Sequence, residues 1–187
     1  IFQAGFDEYA IVMEGVGVQS MSAFKAATNP VIDGVLDEAD WKIAEPVYLK
    51  KNDEYNTKKQ IEVKYPTEVK SVFTLEGITF GIRMTEPSPT KLKREIKTHN
   101  NGMTYWDDCI ELFLDETGKN EGKFVQMLVN ANGAVQVINN GQGICKPEDV
   151  KTKSFLGKDF WSMEIYVPYA ALSKEAGATH KWIFQMT

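Results

Sequence analysis

The stretch IDGVLDEADW at residues 32–41 predicts a tight turn followed by the start of a helix. Asp33 and Gly34 form a turn pair, because glycine tolerates the positive φ that such turns require. Asp37 then stands where a helix N-cap belongs, since its carboxylate can accept a hydrogen bond from a backbone N–H. Two further acidic residues fall in the first helical turn, where the helix dipole favours negative charge. The stretch therefore predicts a local structural device rather than a binding site.

Trp41 is expected to anchor this short helix. With that N-cap, Leu36 and Trp41 occupy the two positions of a hydrophobic staple, which fixes the direction in which the chain enters the helix. A residue before proline is biased away from helical backbone. We therefore expect the helix to run to Ala44 and to stop at Glu45 and Pro46.

Short strands dominate the rest of the sequence. They are predicted at residues 61–65, 68–74, 78–84, 109–114, 123–129, 134–139, 161–167 and 182–186. Hairpin turns are predicted at 75–77 and 130–133, a long polar loop at 85–104 with one helical turn near 92–96, and a short helix at 169–174. Many short strands without regular strand–helix alternation predict an all-β fold, an antiparallel β-sandwich with one or two short helices.

Composition limits the classes of partner. The chain has 187 residues, 43% of them hydrophobic, with a net charge of -5. That is enough for one domain with a substantial core. An acidic surface argues against nucleic acid or an anionic membrane as the main partner, and no apolar run reaches the length that membrane insertion requires.

The cysteines and the first residue give two further expectations. Cys109 and Cys145 allow one disulfide, but a buried or half-buried free thiol is favoured, and their spacing is not that of a zinc or thioredoxin-like site. The sequence starts at Ile1 without a basic or cleavable leader, so we expect a processed or excised piece.

The first 28 residues differ from the rest, with a strand predicted at 9–14 and a Gly- and Ser-containing connector after it. Two interpretations stay open. Residues 1–28 are either an N-terminal strand and linker, the tail of a preceding domain, or they add an edge strand to the domain at 29–187.

The segment WDDCIELFLD at residues 106–115 combines aromatic and acidic residues on one predicted strand. Because side chains alternate across a strand, one face is expected to enter the core and the other to point outward. The predicted core residues are Ile110, Leu112 and Leu114, and the predicted outward residues are Cys109, Glu111, Phe113 and Asp115. Trp106 and Asp107 precede the strand, at its rim.

Together, an IDGxLDExxW opening and a later WDDCIELFLD strand resemble the family 9 carbohydrate-binding modules and their relatives in extracellular polysaccharide-degrading proteins. The resemblance covers about residues 29–187. It implies a β-sandwich of jelly-roll or immunoglobulin-like type that binds a polysaccharide or oligosaccharide without catalysis or an organic cofactor. It also implies a secreted, periplasmic or cell-surface bacterial protein in which a catalytic domain is covalently linked to this module.

In that family a Trp shortly before a D-x-x-E strand forms one wall of an aromatic clamp, and the Glu binds sugar hydroxyls. The matching residues here are Trp106, Glu111 and Asp108. A sugar ring packs its C–H face on an aromatic ring while carboxylates accept bonds from its hydroxyls. The alternatives are that Trp106 is an inward anchor, that Glu111 pairs with a neighbouring cation, and that Asp108 bonds backbone N–H groups in a turn.

The family's second aromatic wall has no counterpart in this sequence, because it follows the strand placed here at 182–186. Trp161 and Trp182 do not match it, and for both we expect packing in the core or at a sheet edge.

Some relatives hold structural calcium. Asp115, Glu116 and Asn120 form an oxygen-rich turn that suits such an ion. The alternative is a solvated charged loop.

Three other functions stay open. The first is a spacer or protein-interaction domain without sugar affinity. The second is a glycosidase, for which Asp107, Asp108 and Glu111 supply carboxylates. The third is a haem-carrying redox module, for which the 7 Met and 2 His residues supply candidate ligands. Core filling explains the Met residues more simply.

Overall fold

The computed structural model describes residues 2–4, 9–11, 21–49, 51–52, 60–61, 63–119, 121–141, 144–172 and 181–186. For residues 2–4, 9–11, 51–52, 60–61, 181 and 183 the description covers the backbone.

These residues form two sheets of short strands with two short helices, α1 (Ala39–Ile43) and α2 (Tyr169–Leu172). The strands are β1 (Phe2–Ala4), β2 (Tyr9–Ile11), β3 (Phe24–Lys25), β4 (Val47–Tyr48), β5 (Lys51–Asn52), β6 (Gln60–Ile61), β7 (Thr67–Phe73), β8 (Gly77–Thr85), β9 (Cys109–Asp115), β10 (Phe124–Asn130), β11 (Val135–Asn140), β12 (Lys151–Leu156), β13 (Phe160–Pro168) and β14 (Lys181–Met186). Short 3₁₀ turns lie at Pro89–Lys91, Thr104–Trp106 and Pro147–Asp149.

The fold is an all-β sandwich, as predicted. One layer, called the β9 sheet, has the order β11-β10-β9-β14-β1-β2, and the other, the β13 sheet, has the order β12-β13-β8-β7-β3. β4 also pairs with β7, and β5 pairs with β6. The pairings are antiparallel except that of β3 with β7, which is parallel. Within the described ranges, no helix has the length and apolar character that crossing a lipid bilayer demands.

The core lies between the two sheets, and the predicted alternation of β9 is confirmed. Ile110, Leu112 and Leu114 are buried in the core cluster. The cluster continues through Phe80 of β8 and Phe184 of β14, whose ring centroids are 6.0 Å apart. Burial of this apolar surface, at roughly 25 cal/mol per Å², is the main term that stabilises the sandwich.

Residues 32–41 pack on the outer face of the β13 sheet, around the buried carboxylate of Glu164. The backbone N–H groups of Asp33 and Gly34 donate to Glu164 Oε2 at 2.9 and 2.8 Å. The indole N–H of Trp41 donates to Glu164 Oε1 at 3.1 Å. Glu164 is fully buried, and its three donors satisfy both carboxylate oxygens. This stretch is therefore the structural device that its sequence predicts.

Two close approaches hold the stretch against the sheet. Gly34 has φ +89°, and a Cβ at this position would lie 2.6 Å from the carbonyl carbon of Ser154. Ser162 Oγ donates to the Gly34 carbonyl at 2.6 Å. At Gly81 of β8, a Cβ would lie 2.9 Å from the ring of Trp41. The turn and the indole thus lie directly on the backbone of the sheet.

The predicted N-cap of α1 is wrong: the cap residue is Glu38, not Asp37. Glu38 makes no side-chain cap bond, and its Oε1 instead accepts the backbone N–H of Val31 at 3.0 Å. Bonds to the distant Glu164, rather than a local cap, therefore position the helix start. The predicted end is confirmed to within one residue, because α1 ends at Ile43 with Ala44 as its C-cap.

The helical turn predicted near residues 92–96 is also wrong. The N–H groups of this segment donate to two carboxylates in place of helical carbonyls. Lys93 donates to Asp108, while Glu95 and Ile96 donate to Asp107.

Two strand predictions need correction. The predicted strand 61–65 does not extend to its predicted end: Ile61 lies in β6, residue 62 lies outside the described residues, and residues 64 and 65 form a bend. Proline at 66 supplies no N–H to a sheet ladder. Strand β12 is missing from the sequence prediction, because its residues alternate between exposed and half-buried and include no fully buried position. The other predicted strands and both predicted hairpins are present.

At the N-terminus, β1 pairs with β14 and with β2, which places residues 2–4 and 9–11 in the β9 sheet. Met21 and Ala23 are buried in the main core. The division between 1–28 and 29–187 stays a prediction. Residue 173 and the rest of the helix predicted to reach 174 lie outside the described residues, as do residues 12–14 of the first predicted strand.

Candidate functional site

The outer faces of the two sheets differ. On the β13 sheet, the outward side chains of Ser162 and Glu164 are buried beneath residues 32–41. On the β9 sheet, the outward side chains of Glu111, Phe113 and Gln126 are half-buried. Among the described residues, the outer face of the β9 sheet is therefore more exposed than that of the β13 sheet at these positions, although Leu128 on the same face is buried.

Strand register groups these outward side chains into rows. Phe113 lies opposite Gln185 of β14 on one side and Gln126 of β10 on the other, and Gln126 lies opposite Ile138 of β11. In the next row, Glu111 lies opposite Leu128, which lies opposite Gln136. The face thus mixes amides and a carboxylate with apolar side chains, a combination typical of ligand-binding surfaces.

Trp106 and Tyr105 form an exposed aromatic surface at the end of the 3₁₀ turn that precedes β9; we call this pair the Tyr105–Trp106 platform. Each side chain is 55% exposed. Their ring centroids are 5.5 Å apart and the planes are inclined by 32°. The ammonium of Lys93 lies 5.4 Å from the centroid of the Trp106 ring. Trp106 is therefore not an inward anchor, and its ring lies in solvent beside a cation.

Asp107, the residue after the platform, is fixed by hydrogen bonds to the neighbouring loop and to β10. Its buried carboxylate accepts the backbone N–H groups of Glu95 at 3.0 Å and Ile96 at 2.8 Å, and the side-chain amide of Asn130 at 2.8 Å. Burial alone would raise the pKa of Asp107, but these hydrogen bonds and nearby Lys93 outweigh it and lower the pKa. A hydrogen-bonded carboxylate with a lowered pKa suits a structural role and does not suit a glycosidase general acid, whose pKa is raised.

Asp108 is attached to the same loop. Its Oδ2 accepts the backbone N–H of Lys93 at 2.6 Å, and its own N–H donates to the Lys93 carbonyl at 2.8 Å. Asp108 therefore bonds backbone groups, which is one of the two roles that the sequence allows for it. It places the backbone of Lys93 beside Trp106. A direct bond from Asp108 to a sugar stays a prediction.

Glu111 lies on the outward face of β9, two positions from Phe113. Its Oε1 accepts the side-chain amide of Gln126 at 2.5 Å. This bond orients a carboxylate and an amide side by side, and both groups can bond hydroxyls. The 3₁₀ turn that carries the platform contacts β10, and Asn130 at the end of β10 bonds Asp107. The platform is thus attached to the end of β10, next to the start of β9. That Glu111 and the platform act on one ligand stays a prediction.

The other predicted tryptophans are confirmed as core residues. Trp161 and Trp182 are both buried in the main core cluster. Tyr169 packs edge-on against Trp182 with ring centroids 5.6 Å apart.

Both cysteines are free thiols, as expected. Burial raises the pKa of Cys145 to about 12, with a smaller effect from Asp149. Burial also raises the pKa of Cys109, and Glu111 and Asp108 add to it. Neither cysteine is therefore a reactive thiolate at neutral pH.

The oxygen-rich turn after β9 is incompletely described. Asp115 Oδ1 accepts both the N–H and the hydroxyl of Thr117, at 2.9 and 2.6 Å. Glu116 is buried, and Asn120 lies outside the described residues. Across the described ranges, no group of three or more His, Cys, Asp or Glu side chains is placed to hold a metal ion. A calcium ion at Asp115, Glu116 and Asn120 stays a prediction.

Sequence reasoning missed three residues of this region: Tyr105, Lys93 and Gln126. Tyr105 is adjacent to Trp106, so the paired aromatics were the available signal. Lys93 is 13 positions away in a loop and Gln126 is on the next strand. Their positions depend on loop path and strand register, for which the sequence has no local signal.

No protein-family model matches the chain. No curated protein matches it. Solved structures with the same fold include a family 9 carbohydrate-binding module from Caldicellulosiruptor kristjanssonii in complex with cellotriose, at TM-score 0.56 and 18% identity, covering 88% of this chain and 73% of that one. A family 9 module from the same organism in complex with glucose matches at TM-score 0.55 and 16% identity, covering 87% and 83%.

A candidate carbohydrate-binding protein from Bacteroides uniformis ATCC 8492 matches at TM-score 0.59 and 14% identity, covering 88% of each chain. At these identities the likeness shows the fold. The predicted resemblance to family 9 carbohydrate-binding modules is thus confirmed at the level of three-dimensional structure, over most of the chain.

Proposed function

We propose that this chain is a non-catalytic carbohydrate-binding module whose ligand stacks on the Tyr105–Trp106 platform. The observation that carries the proposal is the exposed indole of Trp106, paired with Tyr105 in the 3₁₀ turn that precedes β9. At 55% exposure, each side chain leaves apolar ring surface available to a ligand. This surface suits the apolar C–H face of a sugar ring.

The polar groups near the platform fit hydroxyl recognition. Glu111 supplies a carboxylate acceptor and Gln126 an amide beside it, with Asp108 as a second, supporting acceptor. Lys93 supplies an ammonium donor next to the indole. A hydrogen bond to a charged group contributes about 1.5–3 kcal/mol, so a few such bonds, added to stacking, give a specific but moderate affinity.

The comparisons support a glucan-like ligand, because two structures with this fold hold cellotriose or glucose. The wider setting is part of the proposal: an accessory module of a secreted, periplasmic or cell-surface bacterial protein that degrades polysaccharide, linked to a catalytic domain. The mildly acidic chain fits a neutral sugar better than nucleic acid.

The test is retention on immobilised polysaccharides. The protein is run through gels that contain cellulose derivatives, xylan, mannan or mixed-linkage glucan, and its affinity for the retained glycan is then measured by calorimetry. We expect retention on at least one glucan gel. No retention on any of them would favour the spacer or interaction domain.

Trp106→Ala is expected to weaken binding at least about tenfold, since loss of about 1.4 kcal/mol of stacking corresponds to that factor. The thermal midpoint is expected to change little, because the ring is already 55% exposed. Phe155→Ala is the matched control, as Phe155 is a partly exposed aromatic (41%) on the other sheet. Unfolding of the Trp106 variant, or equal affinity in both variants, would contradict the site assignment.

Glu111→Gln is expected to weaken binding about tenfold, because the substitution keeps the shape but removes the charge from bonds worth about 1.5–3 kcal/mol. Gln126 can still bond the new amide oxygen, so the unfolding midpoint is expected to stay near that of the unsubstituted protein. Calorimetry with the retained glycan measures the change. An unchanged affinity would remove Glu111 from the site.

A further inference from the structure

A hollow lies on the outward side of β9, at the opposite end of this strand from the platform. Its volume is about 290 Å³. It is lined by Phe113, Asp115, Gly122, Lys123, Phe124, Phe184 and Gln185. Phe113 and Phe124 meet edge to face with ring centroids 5.4 Å apart. We call this feature the Phe113–Phe124 hollow.

The hollow combines two aromatic walls with a few polar groups. Lys123 is exposed and pairs with Glu121 at 3.5 Å across the surface. Gln185 is exposed on β14, directly opposite Phe113. Aromatic walls together with an ammonium and an amide provide an apolar surface and hydroxyl-bonding groups in one concave site, which is how small polar ligands are held.

The hollow and Glu111 share the outward face of β9. Phe113 lies two residues beyond Glu111 on the same outward face, a separation of about 7 Å in a strand. Gln126 bonds Glu111 and lies opposite Phe113, so it belongs to both regions. The seven residues of β9 span about 20 Å from the platform end to the hollow. A single sugar cannot contact both ends of such a surface.

We propose that the Phe113–Phe124 hollow is a second sugar subsite, so that the ligand of this module is an extended oligosaccharide lying along β9. This inference rests on the proposed function, and it adds the ligand class: a chain of several sugar units rather than one terminal unit.

The experiment measures affinity against chain length by calorimetry. The probes are three series of one to six units: glucose to cellohexaose, xylose to xylohexaose and mannose to mannohexaose. The unsubstituted protein is expected to bind the longer members of one series at least about tenfold more tightly than its shortest member. Trp106→Ala is expected to weaken binding at every length.

Phe124→Ala is expected to remove the gain with length, about tenfold for the longest sugar, and to leave the shortest one unaffected. Because Phe124 is half-buried, Gln185→Ala serves as a second variant at an exposed position, with an expected loss of about threefold to fivefold for the longest sugar. Phe155→Ala on the other sheet is the control, with no loss at any length.

Affinity that depends on Trp106 but not on chain length would overturn the second subsite and leave the proposed function intact. The second subsite is also overturned if Phe124→Ala and Gln185→Ala both fold and neither changes the binding of long chains. Failure of the unsubstituted protein to bind any member of the three series would overturn the proposed function, and the second subsite with it.

Discussion

Glu164→Ala is expected to destabilise the protein by about 3–5 kcal/mol, among the largest costs of a single substitution. The change removes the acceptor for three N–H groups: the backbone of Asp33 and Gly34, and the indole of Trp41. Each orphaned donor in a buried site costs about 1–3 kcal/mol, only part of which water in the new cavity can recover. Urea unfolding followed by tryptophan fluorescence measures the change.

Glu164→Gln is the matched control. Its amide oxygen can still accept both backbone N–H groups, but its NH₂ faces the indole donor of Trp41. We expect Glu164→Gln to lower the free energy of unfolding by about 1–2 kcal/mol, which is less than the loss expected for Glu164→Ala. Equal stabilities of the Gln and Ala variants would show that the hydrogen bonds to residues 32–41 contribute little.

The same pair of proteins tests the titration of Glu164. Burial raises its pKa to about 7, and the bonds from Gly34, Asp33 and Trp41 oppose that shift without cancelling it. Because the folded state holds the proton more tightly than the unfolded state, the stabilising effect is complete below about pH 4.5 and is lost as pH rises through about 7. Over that range, the free energy of unfolding of the unsubstituted protein is expected to fall by about 3 kcal/mol relative to that of Glu164→Gln. A constant difference between the two proteins from pH 4.5 to pH 8 would contradict a raised pKa.

Glu164 also shows which kind of contact the sequence does not predict. The turn at Asp33 and Gly34 and the burial of Trp41 are readable locally, because turn chemistry and a large apolar side chain have local signatures. The carboxylate that joins them lies 123 to 131 residues away in sequence. No neighbouring residue in the sequence distinguishes Glu164 from a solvent-exposed acid on an edge strand. The misplaced N-cap has the same cause, since the long-range bonds position the helix start.

The strands that could be predicted are those with a clear two-residue alternation or a strong hairpin turn. β9, β10 and β13 each have buried apolar residues on one face, and the sequence predicts their bounds to within one residue at either end. The faces are predicted for β9. β12 was missed because an edge strand with polar and half-buried residues has the composition of a loop.

Only part of the candidate site could be predicted from the sequence, because a loop positions the rest. Exposure of Trp106 is what the sugar-binding hypothesis requires, and it follows from a motif that precedes a strand. The roles of Asp107 and Asp108 depend on where residues 93–96 run, because those backbone N–H groups are the partners of the two carboxylates. The path of a long polar loop has no local signature, so the two neighbouring acids could not be told apart.

Gly34→Ala is the second large effect, with an expected cost of at least about 3 kcal/mol. Two penalties add at this position. The backbone has φ +89°, and the new Cβ would lie 2.6 Å from the carbonyl carbon of Ser154 and 2.7 Å from the amide nitrogen of Phe155. Both contacts are with the backbone of β12, which cannot rotate away as a side chain would. Thermal unfolding measured by circular dichroism reports the loss.

Two other glycines separate these penalties. Gly122 has φ +73° but open space around its Cβ position, so Gly122→Ala isolates the backbone strain, at about 1–2 kcal/mol. Gly102 has neither a positive φ nor a neighbour within 4 Å, so Gly102→Ala is expected to be nearly neutral. The order of cost Gly34 > Gly122 > Gly102 is therefore required if residues 32–41 lie directly on β12. Equal costs at Gly34 and Gly122 would show that the turn can move away from the sheet, and that its contact with Ser154 does not hold the opening stretch in place.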